Sequence, residues 1–207
     1  MAPNGAAPPR LCVAAAAHGP GTDLRDPLVE VLDEAALRAG LDRPVWREWA
    51  AAAVPVAAIA VPDLVAVSID RFTRALDVTL GLHNTTVGRP RLRLRVVLHF
   101  GLLDDAGCAG PAVDQAVRLL DQHDLRDALD EAPDSALALL LSDRVPTCPW
   151  WLEEFREVPL WAGRPRVGPH ARRGDVLGGA PDCCDRAWLW TPGWYPVVAG
   201  STPDRGA

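Results

Sequence analysis

The chain has 207 residues, 49% of them hydrophobic, which is enough to bury one sizeable core and predicts one main domain. Its 21 basic residues against 27 acidic ones, a formal charge of −6, argue against a general nucleic-acid binder, which holds backbone phosphates with surplus Lys and Arg; a local basic patch stays open. The longest apolar run, Val54 to Val61, is broken by Pro55 and falls far short of the roughly 20 residues that span a bilayer, so no membrane association is expected. Residues 1–9 are Pro/Ala/Gly-rich and predict a disordered start. Leu11 to Ala17 is an unbroken run of small apolar residues, the pattern of a central strand buried on both faces, and it ends in the loop His18-Gly19-Pro20-Gly21-Thr22. Asp26-Pro27 then reads as an N-cap with proline at the first helical position, Leu28, Val31, Leu32 and Ala35 form an apolar stripe, and Gly40 is the stop.

Arg43 to Trp49 and Val54 to Val61 predict two strands joined across Ala50 to Ala53, although this alanine-rich link lacks the usual Gly or Asn of a turn, and helix is the alternative there. From Pro62 to Leu82, apolar residues recur at helical spacing and predict a long helix ending near His83-Asn84. Arg89 to Phe100 alternates strictly, with Arg91, Arg93, Arg95 and His99 on one face and Leu92, Leu94, Val96, Leu98 and Phe100 on the other, as in a half-buried strand. Gly101 to Cys108 predicts a turn into a short partner strand, Gly110-Pro111 opens a helix, and a second helix spans about Asp124 to Glu131. Ala136 to Leu141 is again a buried strand, with Ser142-Asp143 read as the cap of a short helix toward Trp150. Beyond it, Phe155 to Leu160 and Ala187 to Trp190 predict a strand pair in a Trp-rich segment whose indoles need the main sheet for burial.

The fold expected from this order is α/β (α+β): a ferredoxin-like two-layer sandwich with a mainly antiparallel sheet and a small Trp-rich β extension at the C-terminus. The expected organisation is a disordered 1–9, a main domain over 10–149, an extension over 150–198 packed on it, and a disordered tail over 199–207. The five cysteines, Cys12, Cys108, Cys148, Cys183 and Cys184, are odd in number, lack C-x-x-C spacing, and read as cytosolic thiols; no metal and no cofactor is expected. A redox role for the adjacent Cys183 and Cys184 stays open beside that of bystanders.

Leu92 to Gly101 followed by Gly110 to Leu120 resembles the second half of class III adenylate and guanylate cyclases, and the segments Ala138 to Asp143, Phe155 to Val158 and Trp188 to Gly193 are similar to that group. The resemblance covers roughly residues 10 to 195 and is specific from about Arg89 to Asp143. It implies a nucleotide cyclase framework with the active site between two subunits. In active members two aspartates bind two metal ions that neutralise the triphosphate and stabilise a developing alkoxide. The resemblance places the first at Ala16 or Ala17 and the second within Ala50 to Ala53, so both carboxylates are absent. Asp23 and Asp26 lie nearby, but an aspartate at a helix start commonly serves as a cap.

The family's asparagine and arginine on one helix fall on Asp114 and Arg118, where only the arginine is kept; a carboxylate there repels a triphosphate, whereas Asp114 and Arg118 at i,i+4 have the spacing of a helix ion pair. The base-selecting position falls near Gly107 or Cys108, and neither supplies a hydrogen bond to a purine edge. Arg47 stands either for the purine-binding lysine or as a solvated side chain. His18, Gly19, Gly21 and Thr22 form either an anion-binding loop before a helix or an ordinary connection. The Arg91, Arg93 and Arg95 row reads as a solvated strand face or as a ridge for an acidic partner or a nucleic-acid backbone, and the tryptophan cluster as packing or as a docking surface. The basic loop with Arg164, Arg166, His170, Arg172 and Arg173 reads as a flexible segment or a phosphate site. Three functions follow: a non-catalytic domain acting through homo- or heterodimerisation, a metal-independent nucleotide or cyclic-nucleotide sensor, or a divergent cyclase.

Overall fold

The computed structural model describes residues 9–19, 24–41, 44, 46–49, 54–59, 65–89, 91–103, 110–147, 152–160 and 186–193. Strand β1 (Arg10–Ala17) leads through helix α1 (Arg25–Arg38) to β2 (Arg47–Trp49) and β3 (Val54–Ile59). Helix α2 (Val65–Thr85) and β4 (Leu94–Gly101) complete a β-α-β-β-α-β unit whose strands lie in the order β4-β1-β3-β2, the ferredoxin-like arrangement expected. Helices α3 (Pro111–Leu120) and α4 (His123–Glu131) then carry the chain to β5 (Leu137–Ser142), which runs parallel to β4, as a two-helix crossover permits. The last strands, β6 (Arg156–Pro159) and β7 (Arg186–Trp190), extend the same sheet to the order β2-β3-β1-β4-β5-β7-β6, and five of the six pairings among the described residues are antiparallel.

The alternation of β1 divides the core in two. Leu11, Val13 and Ala15 point toward α1 and α2, together with Leu94, Val96, Leu98 and the odd-numbered leucines of β5. Cys12, Ala14 and Val97 point the other way, where α3 and α4 cover the sheet with Val113, Ala116, Leu119, Leu125 and Leu129. The ferredoxin-like sandwich of sheet, α1 and α2 thus gains a further helical layer from α3 and α4. This explains why β1 and β5 read as continuous apolar runs, and why β4, expected to be half-buried from its alternation, is instead covered on both faces, with Val97 and His99 fully buried.

Local chemistry sets the element ends. The N-cap position of α1 is Leu24 rather than Asp26, which lies inside the first turn and contributes through the helix dipole instead of a cap hydrogen bond. Helix α1 stops as expected at Gly40, whose φ of +73° lets Gly40 N–H reach the Leu37 carbonyl (3.0 Å) and Leu41 N–H reach that of Ala36 (2.9 Å), a Schellman closure sealed by buried Leu41. Asn84, near the end of α2, uses its amide to accept from Leu92 N–H (2.7 Å) and donate to Leu92 O (2.8 Å), fixing the entry of β4. After Ser142 the described residues form a turn and not the short helix expected; a 3-10 turn follows at Leu152–Glu154. The partner strand expected after Gly101 falls largely on residues 104–109, outside the described residues, as does the link Ala50 to Ala53. No helix among the described residues is long and apolar enough to cross a membrane.

Candidate functional site

The end of β1 leads into the loop His18 to Thr22 that the sequence singles out. Ala17 pairs with Leu94, and His18 N–H donates to the Arg93 carbonyl at 2.7 Å, carrying the ladder one residue past the strand. Gly19 follows with φ +115°, a backbone that turns the chain away and that L side chains rarely adopt. Gly21 and Thr22 lie outside the described residues. Strand parity separates the two alanines: Ala16 packs on the α3/α4 side and Ala17 on the α1/α2 side.

Three further elements arrive at this end. Arg93 donates through Nε to the Ser135 carbonyl (3.0 Å) and through a terminal nitrogen to those of Leu129 and Ala132, closing the C-terminal end of α4. Arg95, paired with Ala16, reaches the Leu120 carbonyl at 3.2 Å and so closes α3. His18 Nε2 donates to the Asp130 carboxylate at 3.0 Å, across 112 residues of sequence. A helix C-terminus concentrates unpaired carbonyls and partial negative charge, and a guanidinium answers both. The arginine face of β4 is therefore neither a solvated face nor a ridge for a partner at Arg93 and Arg95, while Arg91 is exposed ahead of the strand. Burial, followed by the nearby charge of Arg126, weakens Arg95's hold on its proton, and its Nε is buried without an acceptor among the described residues. Arg126 in turn donates to Asp121 at 2.6 Å.

Arg118 stands exposed in the last turn of α3, the turn whose Leu120 carbonyl Arg95 holds beside Ala16. Asp114 lies in the first turn of the same helix, partly buried, and among the described residues the two form no ion pair, so the i,i+4 contact that their spacing invites is not made. Arg47 is exposed at the start of edge strand β2, opposite Val56, which faces Ala14; two strand spacings, roughly 10 Å, separate it from β1. The fold thus brings His18, Gly19 and Arg118 to one end of the sheet and leaves Arg47 at its edge. His99, on the arginine side by alternation, is sealed at 0% exposure with its Nδ1 2.8 Å from Ser142 Oγ and is beyond reach of a ligand.

Sequence reasoning missed Asp130, Arg93 and Arg95 as organisers of this end. The one signal was arginine recurring on a strand that leads into two helices, since helix C-termini attract cations. Among the described residues, the end of β1 supplies no metal ligand of the cyclase type. Ala16 and Ala17 carry no side-chain donor, and among the described residues no group of three or more His, Cys, Asp or Glu side chains is placed to hold a metal ion.

Of the tryptophans, Trp188 and Trp190 of β7 are partly buried against the α1/α2 side of the core, with Trp190 stacked on Phe155 at 5.9 Å between ring centroids. Trp150, Trp151, Trp161 and Trp194 lie outside the described residues, as does the basic loop from Arg164 to Arg173.

No family model and no curated protein matches the chain. Solved structures do. The adenylate/guanylate cyclase/hydrolase from Silicibacter pomeroyi superposes with a TM-score of 0.51 at 19% identity, covering 91% of this chain and 100% of that one. The guanylate cyclase domain of RhGC from Catenaria anguillulae, in complex with GTP, gives 0.47 at 14% identity over 88% of this chain and 95% of that one. The non-canonical dimeric guanylyl cyclase domain of the RhoGC fusion protein from Blastocladiella emersonii gives 0.46 at 14%, over 88% and 93%. The chain has the fold of a class III nucleotide cyclase domain, in a divergent form.

Proposed function

We propose that this chain is a non-catalytic cyclase-like domain that works by pairing, with a second copy of itself or with another protein. The observation that carries the reading is Ala16. It lies near the end of β1 on the α3/α4 side, beside the turn that presents Arg118, and it is one of the two positions, Ala16 or Ala17, where the cyclase resemblance puts a metal-binding carboxylate and this chain offers a methyl group. The neighbouring polar groups support the same reading. His18 is held by Asp130, and Arg93 and Arg95 are held by the ends of α4 and α3. A triphosphate arriving here meets no metal ligand from β1 and has to compete for cations that already neutralise backbone carbonyls.

A second reading, a sensor that binds a nucleotide or cyclic nucleotide without turnover, is favoured by Arg118, which is exposed and engaged in no ion pair among the described residues. Isothermal titration of ATP, GTP and their cyclic products, with and without Mg²⁺ and Mn²⁺, separates the readings when combined with product analysis and sedimentation over a wide concentration range. The expected result is no metal-dependent heat, no cyclic product and self-association or capture of a partner. Metal-independent binding that is lost in Arg118→Ala moves the conclusion to the sensor. Metal-dependent turnover overturns both, and a strict monomer with no partner recovered from cells overturns the pairing.

A further inference from the structure

On the opposite side of the sheet, α1 and the last turns of α2 flank an open cavity of about 740 Å³. That lies within the range of roughly 300–1,000 Å³ usual for small-molecule sites. Its apolar lining is partly bare: Val31 and Leu41 are buried, but Leu37 of α1 and Leu82 of α2 remain 71% and 53% exposed. Side chains this exposed on two helices flanking one cavity form the kind of surface that a ligand covers.

Four of the five charged groups around the cavity pair with each other, and the fifth, Asp33, accepts a hydrogen bond from Trp46 Nε1 at 2.7 Å. Arg89 grips Glu30 through both terminal nitrogens (2.9 and 3.1 Å), and Arg38 pairs with Glu34 at 2.8 Å. Buried His83 lies with its Nδ1 3.2 Å from the Arg89 guanidinium, which donates to it. A charged ligand would have to break one of these pairs, whereas a neutral one leaves them intact. Thr79 is different. It lines the cavity at 6% exposure, and its hydroxyl is buried with no hydrogen-bond partner among the described residues. Thr73, two turns earlier, shows the usual solution by donating to the Ile69 carbonyl at 3.0 Å. Threonine in a helix readily populates two χ1 rotamers, and rotation exchanges a methyl for a hydroxyl of nearly the same size.

We propose that this cavity binds an uncharged, mainly aliphatic small molecule with one hydrogen-bonding group, an alcohol, ketone or amide, its chain lying on Leu37, Leu41 and Leu82 and its polar end meeting the Thr79 hydroxyl once χ1 rotation turns that hydroxyl from its buried position into the cavity. The site is independent of the end of β1 that carries the proposed function.

The test titrates 1-hexanol to 1-decanol, and alkanes of matched length, into the full chain while the methyl resonances of valine and leucine are followed by NMR. Saturable shifts confined to Val31, Leu37, Leu41 and Leu82 are expected. Thr79→Val, which keeps the shape and removes the hydroxyl, is expected to weaken the alcohols about two- to tenfold and to leave the alkanes unchanged. Leu82→Glu, at an exposed position where folding is not at stake, is expected to abolish both. Absence of saturation, shifts spread to remote exposed leucines such as Leu102, or alcohol affinity unchanged in Thr79→Val overturns the proposal. Arg118→Ala serves as the control, because it tests the nucleotide reading and leaves these shifts in place.

Discussion

Arg93 donates to three backbone carbonyls, those of Leu129, Ala132 and Ser135, and so ties β4 to the end of α4 and to the turn before β5. Arg95, two residues on, makes one such bond, and its Nε is buried without an acceptor among the described residues. Similar side chains on one strand face therefore differ in what they stabilise. Charge-assisted hydrogen bonds contribute more than neutral ones, and a buried carbonyl left without its donor keeps its desolvation cost. Arg93→Met is expected to lower unfolding free energy by about 2–3 kcal/mol, and Arg95→Met by less than about 1 kcal/mol because relief of the orphan Nε offsets the lost cap. Urea denaturation of the two variants checks the order; equal losses would show that the carbonyl count does not set the energy.

Among the elements, α1 and α2 meet over the β1/β4 side of the sheet and depend on clean ends for their length. Gly40 closes α1 at φ +73° with open space where a Cβ would stand, so substitution there strains the backbone without a clash. Gly81 sits inside α2, also with open space, at an ordinary helical φ. The two glycines make opposite predictions from one residue change. Gly40→Ala is expected to cost about 1 kcal/mol, whereas Gly81→Ala is expected to gain roughly 0.5–1 kcal/mol by removing freedom from the unfolded chain. Thermal unfolding of both variants tests it, and a stabilising Gly40→Ala would contradict the Schellman closure of α1.

At the scale of the molecule, β7 lies between β5 and β6, hydrogen-bonded to both, so the Trp-rich end is continuous with the main sheet. Trp188 and Trp190 pack on the same core cluster as α1 and α2. A segment joined by backbone ladder and shared core has no independent reason to melt first. Unfolding followed by tryptophan fluorescence, which is weighted toward this end, is expected to coincide with unfolding followed by far-ultraviolet circular dichroism. Separate midpoints would mean that the extension folds as its own unit.

The ferredoxin-like order and the buried central strands were legible in the residues themselves, because periodicity and side-chain type are local properties. The run Leu11 to Ala17 announces burial on both sides, and alanine at 16 and 17 rules out a side-chain metal ligand in either register. Nothing local told on which side of the sheet Ala16 and Ala17 each pack, since that depends on which face α3 and α4 cover. The same packing turned Arg93 and Arg95 from expected surface residues into anchors for helix ends, and it set His18 beside Asp130, 112 residues away. The cavity between α1 and α2 also exists only once the helices are docked. Sequence carries the pattern within an element, but contacts between distant elements are decided by how the finished faces fit, and at this site those contacts settle which charged groups are left for a ligand.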